Sequence, residues 1–102
     1  MILVKICVEV LPQKRKEFEQ AAQWLVKSEG GEKGNLLKTI YQELGNPNAF
    51  YYLEEWDTRE HFEVHFHSDS FRALIGGMKV LGEITGAKII FGAYEENLNV
   101  DQ

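Results

Sequence analysis

An α+β fold built on one antiparallel sheet is what this 102-residue sequence predicts, and three observations predict it. Residues 2–10 place a β-branched side chain at every second position. Residues 18–26 and 71–78 carry apolar side chains at helical spacing. Between those segments, two strand-like runs flank the turn sequence Gly45-Asn46-Pro47-Asn48. A sheet face and helix stripes of this kind are stable only when packed on one another.

In residues 2–10, Ile2, Val4, Ile6, Val8 and Val10 make one face wholly apolar. The other face mixes Leu3 and Cys7 with Lys5 and Glu9, so it too has something to cover. Pro12 ends the strand and suits the first turn of a helix. Phe18, Ala21, Ala22, Leu25 and Val26 give that helix its inward stripe. Gly30 and Gly31 close it, and Trp24 sits off the stripe, either flanking the core edge or serving a pocket or an interface. A strand over 35–44 follows, and the turn at 45–48 makes residues 36–56 an antiparallel hairpin.

The third strand, 49–56, sets Phe50, Tyr52, Glu54 and Trp56 on one face and Tyr51, Leu53 and Glu55 on the other. Large apolar groups on both faces mean that both need cover, and the alternation leaves open which one meets the helices. Asp57 and Glu60 have capping-box spacing and open a helix to about 67, with Phe62, His65 and Phe66 inward. Ser68-Asp69-Ser70 caps a second helix bearing Phe71, Leu74, Ile75 and Met78, weakened at Gly76-Gly77 and closed at Gly82. Residues 84–94 form the last strand, and residues 96–102 a loose polar tail. The order βαββαβ describes a single ferredoxin-like domain over 1–102, core about 2–95, with a four-stranded antiparallel sheet and helices on one face. The uncovered face is apolar enough to predict a homodimer paired through it.

Composition narrows the function. Net charge is −5 with no concentrated cationic face, which excludes nucleic acid as a partner. No apolar run approaches the about 18 residues that span a bilayer, so no membrane is expected. One cysteine, Cys7, forms no internal disulfide, which points to a reducing cytoplasm and a small buried hydrophobe. The glycine-containing stretches 31–34 and 75–82 lack phosphate-binding spacing, so no bound cofactor is expected.

His65 is the leading candidate for chemistry. It lies on the apolar helix stripe, where a near-neutral imidazole suits proton transfer with a phenol; its bland alternative is a satisfied core histidine. His61 and His65 are four apart with His67 close by, but two histidines without a further ligand do not make a zinc site, and no metal is expected. Phe50, Tyr52 and Trp56 share a face with Glu54. That set is either an aromatic-lined pocket with a buried carboxylate or plain core with Glu54 at its rim.

The stretch EEWDTREHFEVHFHSDSFRAL resembles the antibiotic biosynthesis monooxygenase superfamily: Glu54-x-Trp56 ending a strand, a capped helix carrying His65, then Ser68-x-x-Phe71. The resemblance extends over about residues 2–95 and implies a dimeric α+β barrel. Members include cofactor-free quinol monooxygenases, haem degraders and isomerases. Against the polyketide-tailoring members, Trp56 matches the pocket Trp, Tyr52 stands at the Asn position and Phe62 at the Tyr position; the Arg has no clear counterpart, Arg72 being nearby. Against the haem degraders, Ile75 replaces the axial His, His65 stands at the Trp position, and the first strand lacks the Asn. The resemblance therefore implies a cofactor-independent monooxygenase for a small aromatic phenol or hydroquinone, with His65 as base and Tyr52, Trp56, Phe62 and Phe71 against the substrate. The alternatives are a non-catalytic small-molecule-binding or stress-associated dimer, or an isomerase on the same fold.

Overall fold

The computed structural model describes residues 1–27 and 31–101. In chain order it contains β1 (Ile2–Val10), α1 (Arg15–Lys27), β2 (Asn35–Glu43), β3 (Asn46–Trp56), α2 (Arg59–Phe66), α3 (Asp69–Leu81), β4 (Gly82–Phe91) and β5 (Tyr94–Asn97). A 3₁₀ turn over Pro12–Lys14 leads into α1. Of the two glycines expected to close α1, Gly30 lies outside the described residues, and Gly31 has φ 58°.

The α+β class and the helix-covered sheet face are present, but the closed barrel is not. Five strands, not four, form an open sheet in the order β2-β3-β1-β4-β5, every neighbouring pair antiparallel. Its edges, β2 and β5, are four places apart and do not pair with each other, so the sheet does not close on itself. The fifth strand exists because Gly92 takes φ 60° and, with Ala93, turns Phe91 back onto Tyr94. Glycine at the first position of a two-residue hairpin turn adopts that angle without steric cost. The segment expected as a loose tail begins in this strand. Leu98 and Val100 beyond it pack against the core, and the Leu98 N–H donates to the Ala87 carbonyl.

Two other boundaries move for local reasons. The β2–β3 turn is Leu44-Gly45, and Asn46 already pairs with Glu43. Pro47, which has no N–H to donate, sits where the ladder jumps from Gln42–Phe50 to Glu43–Asn46. The cap of α2 is Thr58, whose side chain accepts from the His61 N–H, so Asp57 does not serve as the capping residue. Ser68 caps α3 as expected, accepting from the Phe71 N–H. Each such cap is worth about 1 kcal/mol.

The alternation of β1 decides the core. Ile2, Val4, Ile6, Val8 and Val10 are buried under the helices with Phe50, Tyr52, Glu54 and Trp56 of β3, so the Phe50 face is the one that meets them. Phe62, Phe71, Ile75 and Met78 reach down from α2 and α3. From α1 only Phe18 is buried; Ala22 and Leu25 are half-covered, and Val26 is exposed. The apolar stripe of α1 thus faces the sheet without closing on it. No described helix is long and apolar enough to cross a membrane.

Candidate active site

The space under α1 is a cavity of about 660 Å³ between α1, α3 and the β2–β3 end of the sheet. Its walls are mainly apolar, among them Phe18, Leu25, Ile40, Leu74, Met78 and Leu81. Its polar lining is Glu32, Lys38, Tyr52, His65 and Ser70. Trp24, 72% exposed, also borders it.

Behind the cavity lies a buried polar cluster centred on Glu54, whose exposure is 0%. Its carboxylate accepts from the Tyr52 hydroxyl, from Trp56 Nε1 at 3.0 Å, and lies 2.7 Å from His65 Nε2. Strand geometry brings the first three together, because residues 52, 54 and 56 share one face of β3. Glu54 is therefore neither a rim residue nor a bare carboxylate in a pocket. Three side chains engage it, and no buried side-chain polar atom among the described residues lacks a partner.

His65, 5% exposed, is the junction between this cluster and the cavity. Its other nitrogen, Nδ1, lies 2.9 Å from both carboxylate oxygens of Glu32. A carboxylate at each end suits a ring that donates from both nitrogens, which is the imidazolium form. Burial works against that charge, but the hydrogen bonds and charges of Glu54 and then Glu32 outweigh it and raise the His65 pKa above the ordinary histidine value. Burial, then the charge and hydrogen bond of Glu54, push the Tyr52 phenol far above the usual tyrosine range, so Tyr52 remains a donor.

Glu32 carried no sequence signal. It sits in the loop before β2, 33 positions from His65, and the chain's path alone places it. That loop lies close on the start of α2: Asp57 N–H donates to the Gly34 carbonyl at 2.9 Å. Gly34 has φ 87°, and a Cβ there would stand 2.7 Å from the Cβ of His61. Only glycine lets the loop approach so near while holding Glu32 over His65.

The structure groups the expected site residues in two sets. His65 and Tyr52 line the cavity. Trp56, Phe62 and Phe71 do not; they are almost fully buried, and Trp56 and Phe71 hold the imidazole with ring centroids 4.8 Å and 5.0 Å away. Arg72 is exposed and borders a separate hollow of about 190 Å³. His61 pairs with Asp57 at 2.7 Å, and His67 is directed to Glu63. Among the described residues no group of three or more His, Cys, Asp or Glu side chains is arranged to hold a metal ion.

Comparison with known proteins places this geometry in a family. Residues 1–76 match the family described as antibiotic biosynthesis monooxygenase. Over 81 residues the chain is 31% identical to "Putative monooxygenase YcnE" of Bacillus subtilis, covering 79% of this chain and 85% of that one. A crystal structure of a "putative antibiotic biosynthesis monooxygenase" from Deinococcus radiodurans superposes with TM-score 0.76 at 22% identity, covering 97% of each chain. A conserved protein from Methanosarcina mazei superposes at 0.72 with 28% identity over 87% of each chain. On the match over three quarters of its length and the similarity to YcnE, the chain belongs to the antibiotic biosynthesis monooxygenase family.

Proposed function

We propose that the protein is a cofactor-independent monooxygenase that oxidises a small aromatic phenol or hydroquinone with molecular oxygen. The observation that carries this reading is the apolar cavity of about 660 Å³ ending on His65. It is open and of small-molecule size, whereas a cavity filled by side chains would suit a merely structural fold. A phenol lying against Phe18, Leu74 and Met78 brings its hydroxyl to Nδ1 in place of the Glu32 carboxylate. Glu32 belongs to an exposed loop and has room to leave; Glu54 does not. With the ring neutral, Nδ1 takes the phenolic proton while Nε2–H stays bound to Glu54. The phenolate passes one electron to oxygen, the resulting radical pair joins through a new C–O bond, and the hydroperoxide loses water to leave a carbonyl. One oxygen atom enters the product and the other leaves as water, so no external reductant is required.

The test is oxygen consumption with a panel of hydroquinones and naphthols, flavin removed and metals chelated. Stoichiometric uptake with one oxygen atom from labelled oxygen gas in the product is expected. No uptake with any member would overturn the reading in favour of a small-molecule-binding protein, which the doubly bonded resting His65 also suits.

We further propose a homodimer through the sheet face opposite the helices. Leu3, Cys7, Leu53 and Ile90 lie half-covered there, with Leu37 and Tyr41 exposed beside them. Sedimentation equilibrium should give twice the chain mass, and Leu53→Glu, which sets a carboxylate in the middle of that face, should return it to one. A wild-type protein of single chain mass at micromolar concentration overturns the proposal.

A further inference from the structure

We propose that the ligand of the cavity is an aromatic acid, and that Lys38 is the residue that recognises its anionic group. The inference deepens the monooxygenase reading and rests on the same cavity. Lys38 stands on β2 directly across from Glu54, with its side chain on the helix-covered face of the sheet, and it lines the cavity. Cross-strand neighbours on one face have their Cβ atoms about 5 Å apart, so the ammonium is within reach of the cluster. Yet it forms no ion pair and no hydrogen bond with any described residue. The other lysines that meet carboxylates do so on the surface: Lys14 with Glu17, Lys79 with Asp101, Lys88 with Glu95.

The neighbouring carboxylates are already engaged. Glu54 accepts from Tyr52, Trp56 and His65, and Glu32 is held by His65. Lys38 is thus a half-buried cation beside an apolar space, its three donors unclaimed by any described residue. A ligand carboxylate would claim them. Small-molecule sites combine apolar walls with a few polar groups that fix orientation. Here those groups stand at two points, His65 Nδ1 for a hydroxyl that takes the place of Glu32, and Lys38 for an anion. A hydroxyaryl carboxylate satisfies both, whereas a simple phenol leaves Lys38 unpaired.

Binding of 1-naphthol, 1-hydroxy-2-naphthoate and 4-hydroxy-1-naphthoate, followed by their fluorescence, tests this without requiring turnover. At least one carboxylate should bind about tenfold more tightly than 1-naphthol, the usual worth of a charge-assisted hydrogen bond. Lys38→Met keeps the aliphatic stem, so its 1-naphthol affinity should stay within about twofold while the preference for the acid disappears. Lys38→Arg should retain that preference. Equal binding of acid and naphthol, no binding of either, or a preference that survives Lys38→Met each overturns the proposal. Acid preference without oxygen uptake would leave Lys38's role standing and remove the monooxygenase; uptake without acid preference would do the reverse.

Discussion

Glu54→Ala should unfold at a much lower urea concentration than the wild type, with a loss of about 3–5 kcal/mol at pH 7. The loss comes from what the substitution leaves behind. The Tyr52 hydroxyl, the Trp56 N–H and the His65 Nε2–H all lose their acceptor at a site with no access to water. Each stranded donor costs about 1–3 kcal/mol, moderated where the imidazole sheds its proton. Against the roughly 5–15 kcal/mol that holds a domain of this size together, the loss approaches unfolding. Glu54→Gln is the sharper variant because it keeps the volume. Its amide oxygen can accept from Trp56 Nε1, but its NH₂ then meets the Tyr52 hydroxyl and His65 Nε2, which must turn acceptor with the imidazole giving up its charge, so it should lose about 2 kcal/mol. A Glu54→Gln protein as stable as wild type at pH 7 would mean that the carboxylate's charge is not what the cluster is built around.

Glu54 also shows how far the sequence could be read. Alternation along residues 50–56 put Tyr52, Glu54 and Trp56 on one face, and helical spacing put His65 inward. Periodicity reports which side of an element faces in, but not what it meets. Hence the same pattern served a pocket or a core, and the structure makes Glu54 the centre of a buried polar cluster. The same limit explains α1. Phe18, Ala22 and Leu25 read as a core stripe, yet the helix stands off the sheet and the stripe lines the cavity. β5 was hidden because Ile89, Phe91 and Ala93 continue the alternation through the Gly92-Ala93 turn. Glu32 was out of reach altogether, because no local spacing marks a residue placed by a loop's path.

His65→Ala should lower kcat/KM for oxygen consumption by about a hundredfold or more, the usual contribution of a positioned base. The pH profile separates that role from a structural one. Because the folded-state pKa of His65 is raised, the stability its proton contributes is fully present below the unfolded value of about 6.5 and is lost as pH climbs through the higher folded value. Wild-type stability should therefore decline over that window, and the His65→Ala protein should lack this component. Activity should run the opposite way. Only the neutral ring accepts a proton, so kcat/KM should rise through the same raised pKa. Glu32→Gln removes one of the carboxylates that raise it, so the acid limb should move to lower pH while Nδ1 becomes easier to reach. A histidine that served only to hold Glu54 would leave the acid limb in place when Glu32 is changed. A limb that tracks the His65 titration, followed by NMR in both proteins, identifies the imidazole as the group that takes the proton.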